Sequence, residues 1–296
     1  VGSHIKAKGE DMWGQSAIDV HLIDRARSEG VQVYLDQYPY ETFGGGPNDV
    51  IPDWAYAPPG IDPLNLLGVR FRLDPAKARD NLRANLADPE TRAKIIQDTL
   101  YTLAMQGGAE RHVIVEAEDP SLLGKTLAAV AGTNETTPLQ QLIDFALAAE
   151  TVMPGGVQFR PLAGSTFDVE NYMKQDYTAT STDAGVSLEA RPGQHPRYFG
   201  TYGRKIGHYA RDEEVISLPF AIRSSTSLPA QIIGLPDRGY IRPGQKADVV
   251  IFDYDRIIDT ATVEDPDGPT RGIEAVIVNG VFTFDQARPT GALPGR

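Results

Sequence analysis

The sequence contains no cysteine. Disulfides and thiolate ligands are therefore excluded within it, and any metal held by its side chains must be taken by histidine and carboxylate. Positive charge is scarce as well. Lys and Arg number 28 against 40 Asp and Glu, a formal net charge of -12, and no Lys/Arg run offsets it. That balance opposes binding to phosphate backbones, whose non-specific affinity is mostly electrostatic, so no nucleic-acid partner is expected. Apolar runs stay well short of the roughly 18 residues of a membrane span, and no charged stretch followed by an apolar segment opens the chain. The expectation is a soluble protein without a membrane partner, and cytoplasmic localisation fits the missing cysteine. What is present, 41% hydrophobic and 23% charged residues in 296, suits a globular chain with a substantial core.

Along the chain, Gln15 to Glu29 places Ala17, Ile18, Leu22, Ile23 and Ala26 at helical spacing and stops at Gly30, and Val31 to Tyr38 then reads as a buried strand. Glu41 to Pro63 is rich in Gly, Pro and Asp, with Trp54 and Tyr56 among them, and reads as an irregular wall or lid. Helices are predicted at Pro75 to Leu86, Pro89 to Met105 and Thr137 to Ala149, with a strand at His112 to Ala117 between the second and third. Gly156 to Leu162, a helix at Asp168 to Gln175, and Tyr177 to Thr182 then restore the strand and helix alternation of a parallel sheet or barrel. Helices open at Ser217 with Pro219 and at Ser227 with Pro229, the second closing at Gly234. Val249 to Phe252 and the pair Ile273 to Val278 and Val281 to Phe284, joined by Asn279-Gly280, predict β-structure with a type I′ hairpin. This gives barrel segments at 1–40 and 155–235, an insertion or lid at 41–154, and a β-subdomain at 236–296.

His4 and Lys6 lie two apart in an extended segment, so their side chains share one face, an arrangement suited to a metal ligand beside a cation. Taken alone, such a His is more often a surface residue. Asp183 follows the strand ending at Thr182, the position that carries the chemistry of α/β barrels, although "STDAG" is also ordinary turn and cap chemistry. Arg197 suits a carboxylate partner through its planar guanidinium, with a surface ion pair as its bland alternative. Tyr38 and Tyr40 could equally be core aromatics.

The stretch "SHIKAKGEDMWGQSA" (Ser3 to Ala17) followed by "DQYPYE" (Asp36 to Glu41) resembles the SHxK and D-x-YPY elements of the N-acyl-D-amino-acid deacylase, or D-aminoacylase, family of metal-dependent amidohydrolases. "STDAG" (Ser181 to Gly185), "HPRYFGTYGRKIGHYAR" (His195 to Arg211), "TSLPAQIIGLPDRGYIRPGQKADVVIFD" (Thr226 to Asp253), "VNGVFTFD" (Val278 to Asp285) and the final "PGR" resemble later elements in the same order. The resemblance is weakest between about Pro58 and Pro154. It implies a partial (β/α)8 barrel in which His4 is a zinc ligand from the sixth strand, Lys6 and Tyr38 face the substrate, and Asp183 ends the eighth strand. Asp183 would meet the metal and the attacking water, moving a proton from that water to the departing amine. Arg197 would grip the substrate's α-carboxylate. His195 would order the loop bearing Arg197.

The same resemblance sets out what is missing. Such families place an HxH pair on the first strand, a Cys or carboxylate ligand on an early strand and another His on the fifth, whereas this chain has no HxH, no Cys and no His before His4. It opens at Val1 directly on a motif, so an upstream part of the barrel, in cis or as a separate chain, is expected as its partner. The implied activity is zinc-dependent hydrolysis of N-acyl-D-amino acids, with another divalent metal as a substitute and the isolated chain inactive. The alternatives are a dipeptidase or cyclic-amide hydrolase of the same superfamily, to which "GYIRPGQKADVVIFD" is also similar, or a non-catalytic binding or scaffolding fragment.

Overall fold

The helices that open after Asp74, Asp88, Thr126 and Ser217 begin where the sequence supplies a side-chain cap. In chain order the elements of the computed structural model are α1 (Gln15–Ser28), β1 (Leu35–Gln37), α2 (Pro75–Ala87), α3 (Pro89–Met105), β2 (His112–Ala117), α4 (Leu127–Thr133), α5 (Pro138–Ala148) and β3 (Val157–Pro161). There follow α6 (Thr166–Met173), β4 (Thr178–Thr180), α7 (Arg197–Arg204), a π-helix (Lys205–Asp212), α8 (Leu218–Ser225) and α9 (Ser227–Ile233). The last strands are β5 (Val249–Phe252), β6 (Ile273–Val278), β7 (Val281–Asp285) and β8 (Arg288–Pro289). The structure describes all residues except 46, 61–72, 149–155, 187–192, 264 and 296, and leaves out the side chain of 48. Pro63 of the expected wall, Ala149 of the expected third helix and Arg296 of "PGR" lie outside the described residues.

The chain divides into two units, Val1–Ala7 with Gly14–Tyr40 and Ser165–Arg296, and Lys8–Trp13 with Glu41–Gly164. The second unit has one apolar core in which Leu82, Ile95, Ile114, Leu127 and Leu142 are fully buried. Its helices start on side-chain caps: Asp74 accepts from the Ala76 and Lys77 amides, Asp88 from Thr91 and Thr126 from Ala129, and Pro75 and Pro89 open their helices where no amide is needed. β3 differs from the expected start of a parallel barrel segment. It pairs antiparallel with β2, from His112 opposite Pro161 to Ala117 opposite Val157. Val157 and Phe159 are buried in the same core as Ile114, so the apolar face of β3 belongs with that of β2.

In the first unit, β1 pairs in parallel with β4 in register Leu35 to Thr178, and Gly2 bridges in parallel to Leu35 from the other side. All three segments run the same way. The strand expected from Val31 to Tyr38 is therefore shorter than its composition suggests: the Val31 amide is used to close α1 on the Ala26 carbonyl, and Val31 is exposed. Leu35, Tyr172 and Tyr177 form a small core with Ile5, Val20 and Ile23 packed against it. α1 lacks a cap of its own at Gly14, and buried Asp168 of α6 supplies one by accepting from the Gly14 and Ser16 amides at 2.9 and 3.0 Å. A carboxylate at a helix N-terminus also meets the positive end of the helix dipole.

Gly200, Gly203 and Gly207 line one face of α7 and the π-helix. A Cβ on Gly207 would stand 2.1 Å from the Ile257 carbonyl oxygen and one on Gly203 2.6 Å from Thr270, so glycine there lets the segment around 257–270 lie directly on the helix backbone. A second core, including Met173, Tyr209, Ile216 and Ile257, packs beside that contact. β5 to β8 form an antiparallel sheet in sequence order, and the turn between β6 and β7 has φ of 47° at Asn279 and 79° at Gly280, both positive as a type I′ turn requires. Among the described residues, parallel pairing is confined to Gly2, β1 and β4. The fold is mixed α/β.

Candidate active site

Because Gly2, β1 and β4 are parallel, the chain leaves all three at the same end. His4 follows the first, Tyr38 the second and Asp183 the third. His4 and Asp183 do not stand on neighbouring strands, since β1 lies between them. Both adopt positive φ, 40° and 46°, which is uncommon outside glycine and persists only where the surroundings hold it.

The five residues singled out in the sequence are joined by one run of contacts. Lys6 Nζ lies 3.0 Å from His4 Nδ1 and 2.5 Å from the His4 carbonyl oxygen. An ammonium can only donate, so at this contact Nδ1 is the acceptor. The same ammonium stands 4.8 Å from the centre of the Tyr38 ring, and the Arg197 guanidinium 4.6 Å from it. Tyr38 is buried, so the two cations meet a ring shielded from water, where such contacts are worth most. Arg197 in turn pairs with Asp183 at 2.9 Å, while its buried Nε has no hydrogen-bond partner among the described residues.

His195 organises the approach to Arg197. Its Nδ1 accepts the Arg197 amide at 3.0 Å, and its ring meets Tyr38 and Tyr40 edge-on with centroids 5.6 and 5.4 Å apart. Tyr40 is anchored beneath. Its hydroxyl donates to Asp259 at 3.3 Å, and burial, with the Asp259 charge added, holds its pKa well above the usual tyrosine value. Arg204 fixes the same corner by donating to the Pro39 carbonyl at 2.9 Å and pairing with Asp259 at 3.5 Å. Asp36 and Ser181 were not among the residues singled out. The Asp36 Oδ1 atom accepts from the His4 amide at 2.9 Å and from the Ser181 hydroxyl at 2.5 Å; only the position of Asp36 inside the D-x-YPY element hinted at it.

Among the described residues no three His, Asp or Glu side chains are grouped closely enough to hold a metal. His4 and Asp183 are donors of the type zinc takes, an imidazole and a carboxylate, but two donors fall short of the three or four protein ligands of a zinc site. The residues present fit part of such a site.

Residues 127–284, more than half of the chain, match the family description "Amidohydrolase family". The chain belongs to the amidohydrolase family. It is 31% identical over 294 residues to the N-acyl-D-glutamate deacylase of Alcaligenes xylosoxydans xylosoxydans, covering 99% of this chain and 47% of that protein. Among solved structures, N-acyl-D-glutamate deacylase from Bordetella bronchiseptica, complexed with zinc and a phosphonate mimic of the tetrahedral intermediate, superposes with a TM-score of 0.65 at 26% identity, over 97% of this chain and 47% of that one. D-aminoacylase, described with a binuclear metal centre, gives a TM-score of 0.68 at 25% identity over 98% and 47%. This amidohydrolase chain spans about half the length of the relatives it matches.

Proposed function

We propose that the chain is the C-terminal part of a zinc-dependent N-acyl-D-amino-acid deacylase, a partial (β/α)8 barrel whose remaining metal ligands come from an upstream half. The observation that carries this reading is the run of contacts His4, Lys6, Tyr38, Arg197, Asp183 at one end of three parallel segments. Relatives acting on N-acyl-D-glutamate support the substrate class. Segment 41–154 would be an insertion and 236–296 a β-subdomain.

Zinc, when bound by His4 and Asp183 with ligands from the other half, supplies a Lewis acid for the amide carbonyl and makes water more acidic. Arg197 takes the substrate α-carboxylate, using Nε and the edge now turned to Asp183. A substrate carboxylate arriving there competes for the guanidinium and releases Asp183 to act as base. Asp183 then removes a proton from the attacking water and delivers it to the departing amine nitrogen, yielding a carboxylic acid and a free amino acid. Tyr38 keeps Lys6 and Arg197 apart and aligned on its ring.

The test is to assay the full-length protein and the isolated chain on N-acetyl-D-glutamate, its L enantiomer and a cyclic amide, with metal content measured in each. The full-length protein should release acetate from the D substrate and contain zinc, and the isolated chain should do neither. Turnover of the cyclic amide alone, or full activity of the isolated chain, would overturn the reading.

A further inference from the structure

Asp36 stands at the middle of the three parallel segments, and its carboxylate reaches both neighbours. On one side Oδ1 accepts the amide of His4 itself, 2.9 Å away. On the other it accepts the hydroxyl of Ser181, 2.5 Å away and two residues before Asp183. Backbone bonds run beside these ties: the Asp36 amide donates to Gly2, the Ile5 amide to the Asp36 carbonyl, and the Ser181 amide to the Gln37 carbonyl. Those bonds are what parallel pairing requires of any residue. The side-chain bonds are not, since an alanine at 36 would leave the ladder intact.

The ties fall where the backbone is least at ease. Each flanking segment turns at a non-glycine residue of positive φ, His4 at 40° and Asp183 at 46°, and such conformations persist only where the surrounding structure holds them. A charged acceptor makes stronger hydrogen bonds than a neutral one. One carboxylate oxygen taking both donors fixes the two turns relative to each other across a span of about 10 Å, two strand spacings. We propose that Asp36 is a positioning residue: its carboxylate ties the His4 backbone to the segment bearing Asp183, and so sets the separation between metal donor and base. This deepens, and rests on, the deacylase reading.

Asp36→Ala, Asp36→Asn and Ser181→Ala in the full-length protein test it. Three quantities are read for each: hydrogen–deuterium exchange of the peptide spanning His4, zinc affinity by competition with a chelator, and kcat and KM on N-acetyl-D-glutamate. Asp36→Ala should speed exchange at His4 about tenfold, weaken zinc about tenfold and lower kcat about a hundredfold with KM within about threefold, the range in which residues supporting metal ligands act. Asparagine keeps an oxygen acceptor and should restore most of each loss. Ser181→Ala should lower kcat while leaving exchange at His4 unchanged, because it cuts only the other tie. A folded Asp36→Ala protein with wild-type exchange and zinc affinity overturns the proposal. If Asp36→Ala does not fold, Ser181→Ala decides, and wild-type kcat in that variant overturns it. Should the unmutated protein hydrolyse no N-acyl-D-amino acid while exchange and zinc affinity still respond to Asp36, the deacylase reading fails and the tie stands.

Discussion

The second unit, Lys8–Trp13 with Glu41–Gly164, obeys local rules almost throughout. Its helices carry side-chain caps, it has a single apolar core, and its one non-glycine residue of positive φ among those described, Glu135, is an exposed turn residue after α4. In the first unit those rules give way at particular places. Its apolar residues fall into two smaller clusters, α1 borrows its cap from a buried Asp168, Lys205 is buried inside a π-helix, and His4 and Asp183 take left-handed backbone beside Lys6 and Arg197. The second unit also buries Arg160, so buried charge alone does not separate the two. What separates them is strain and opposite charge gathered at the same strand ends, the pattern expected where function competes with stability.

A crossed pair of substitutions gives the largest effects. Asp183→Asn in the full-length protein should lower kcat by about 10² to 10⁴, roughly 3 to 5 kcal/mol, with the thermal midpoint nearly unchanged, because asparagine tolerates positive φ and keeps the shape. Leu142→Ala should do the reverse, removing about 2 to 5 kcal/mol of stability from a fully buried site while the molecules that remain folded keep their kcat. The contrast breaks if Leu142→Ala depresses kcat at temperatures where circular dichroism shows it folded.

Next in size is Arg197→Lys, expected to cost about 2 to 4 kcal/mol of transition-state stabilisation on acidic substrates, since lysine keeps the charge and loses the fork. Parallel kinetics on a substrate whose α-carboxylate is amidated sharpen the result. There the two proteins should be equal, and a full-sized gap on the amide would mean that Arg197 serves Asp183 or the fold instead.

Regular elements were legible wherever a local signal sufficed. α3, β2 and β5 have the bounds read from the sequence, as does β6, because caps, prolines and the Asn279-Gly280 turn act within a few residues. Pairing was not legible: nothing within Val157–Pro161 says whether its partner is parallel or antiparallel, and β3 chose β2 through a shared core. The same limit applies to the site. Motif resemblance picked out His4, Lys6, Tyr38, Asp183 and Arg197, whose contacts with one another lie up to 159 residues apart, as with Tyr38 and Arg197 (197 − 38). It missed the role of Asp36 because a carboxylate that bonds one backbone amide and one serine hydroxyl leaves no spacing rule in the sequence. The glycines at 200, 203 and 207 are plain in the sequence, yet what they approach is set by a segment fifty or more residues on.

Lys205 offers the smallest effect and the finest test of the comparison. It is 3% exposed, has no hydrogen-bond or ion-pair partner among the described residues, and burial pushes its pKa down to about 7 from 10.5. The depressed value fixes the sign. The unfolded chain holds its proton more tightly than the folded one, so the lysine penalises folding in full below about pH 7 and progressively less as pH rises toward 10.5. Lys205→Met, similar in volume and free of charge, should therefore raise stability by about 1 to 2 kcal/mol at pH 6 and by clearly less at pH 9, as denaturant midpoints at the two pH values would show. If the first unit keeps this lysine only as a packing compromise, kcat and zinc affinity of the full-length protein will be unchanged in the stabilised variant. A variant that gains stability and loses turnover would instead place Lys205 among the residues at which this unit sacrifices stability for activity.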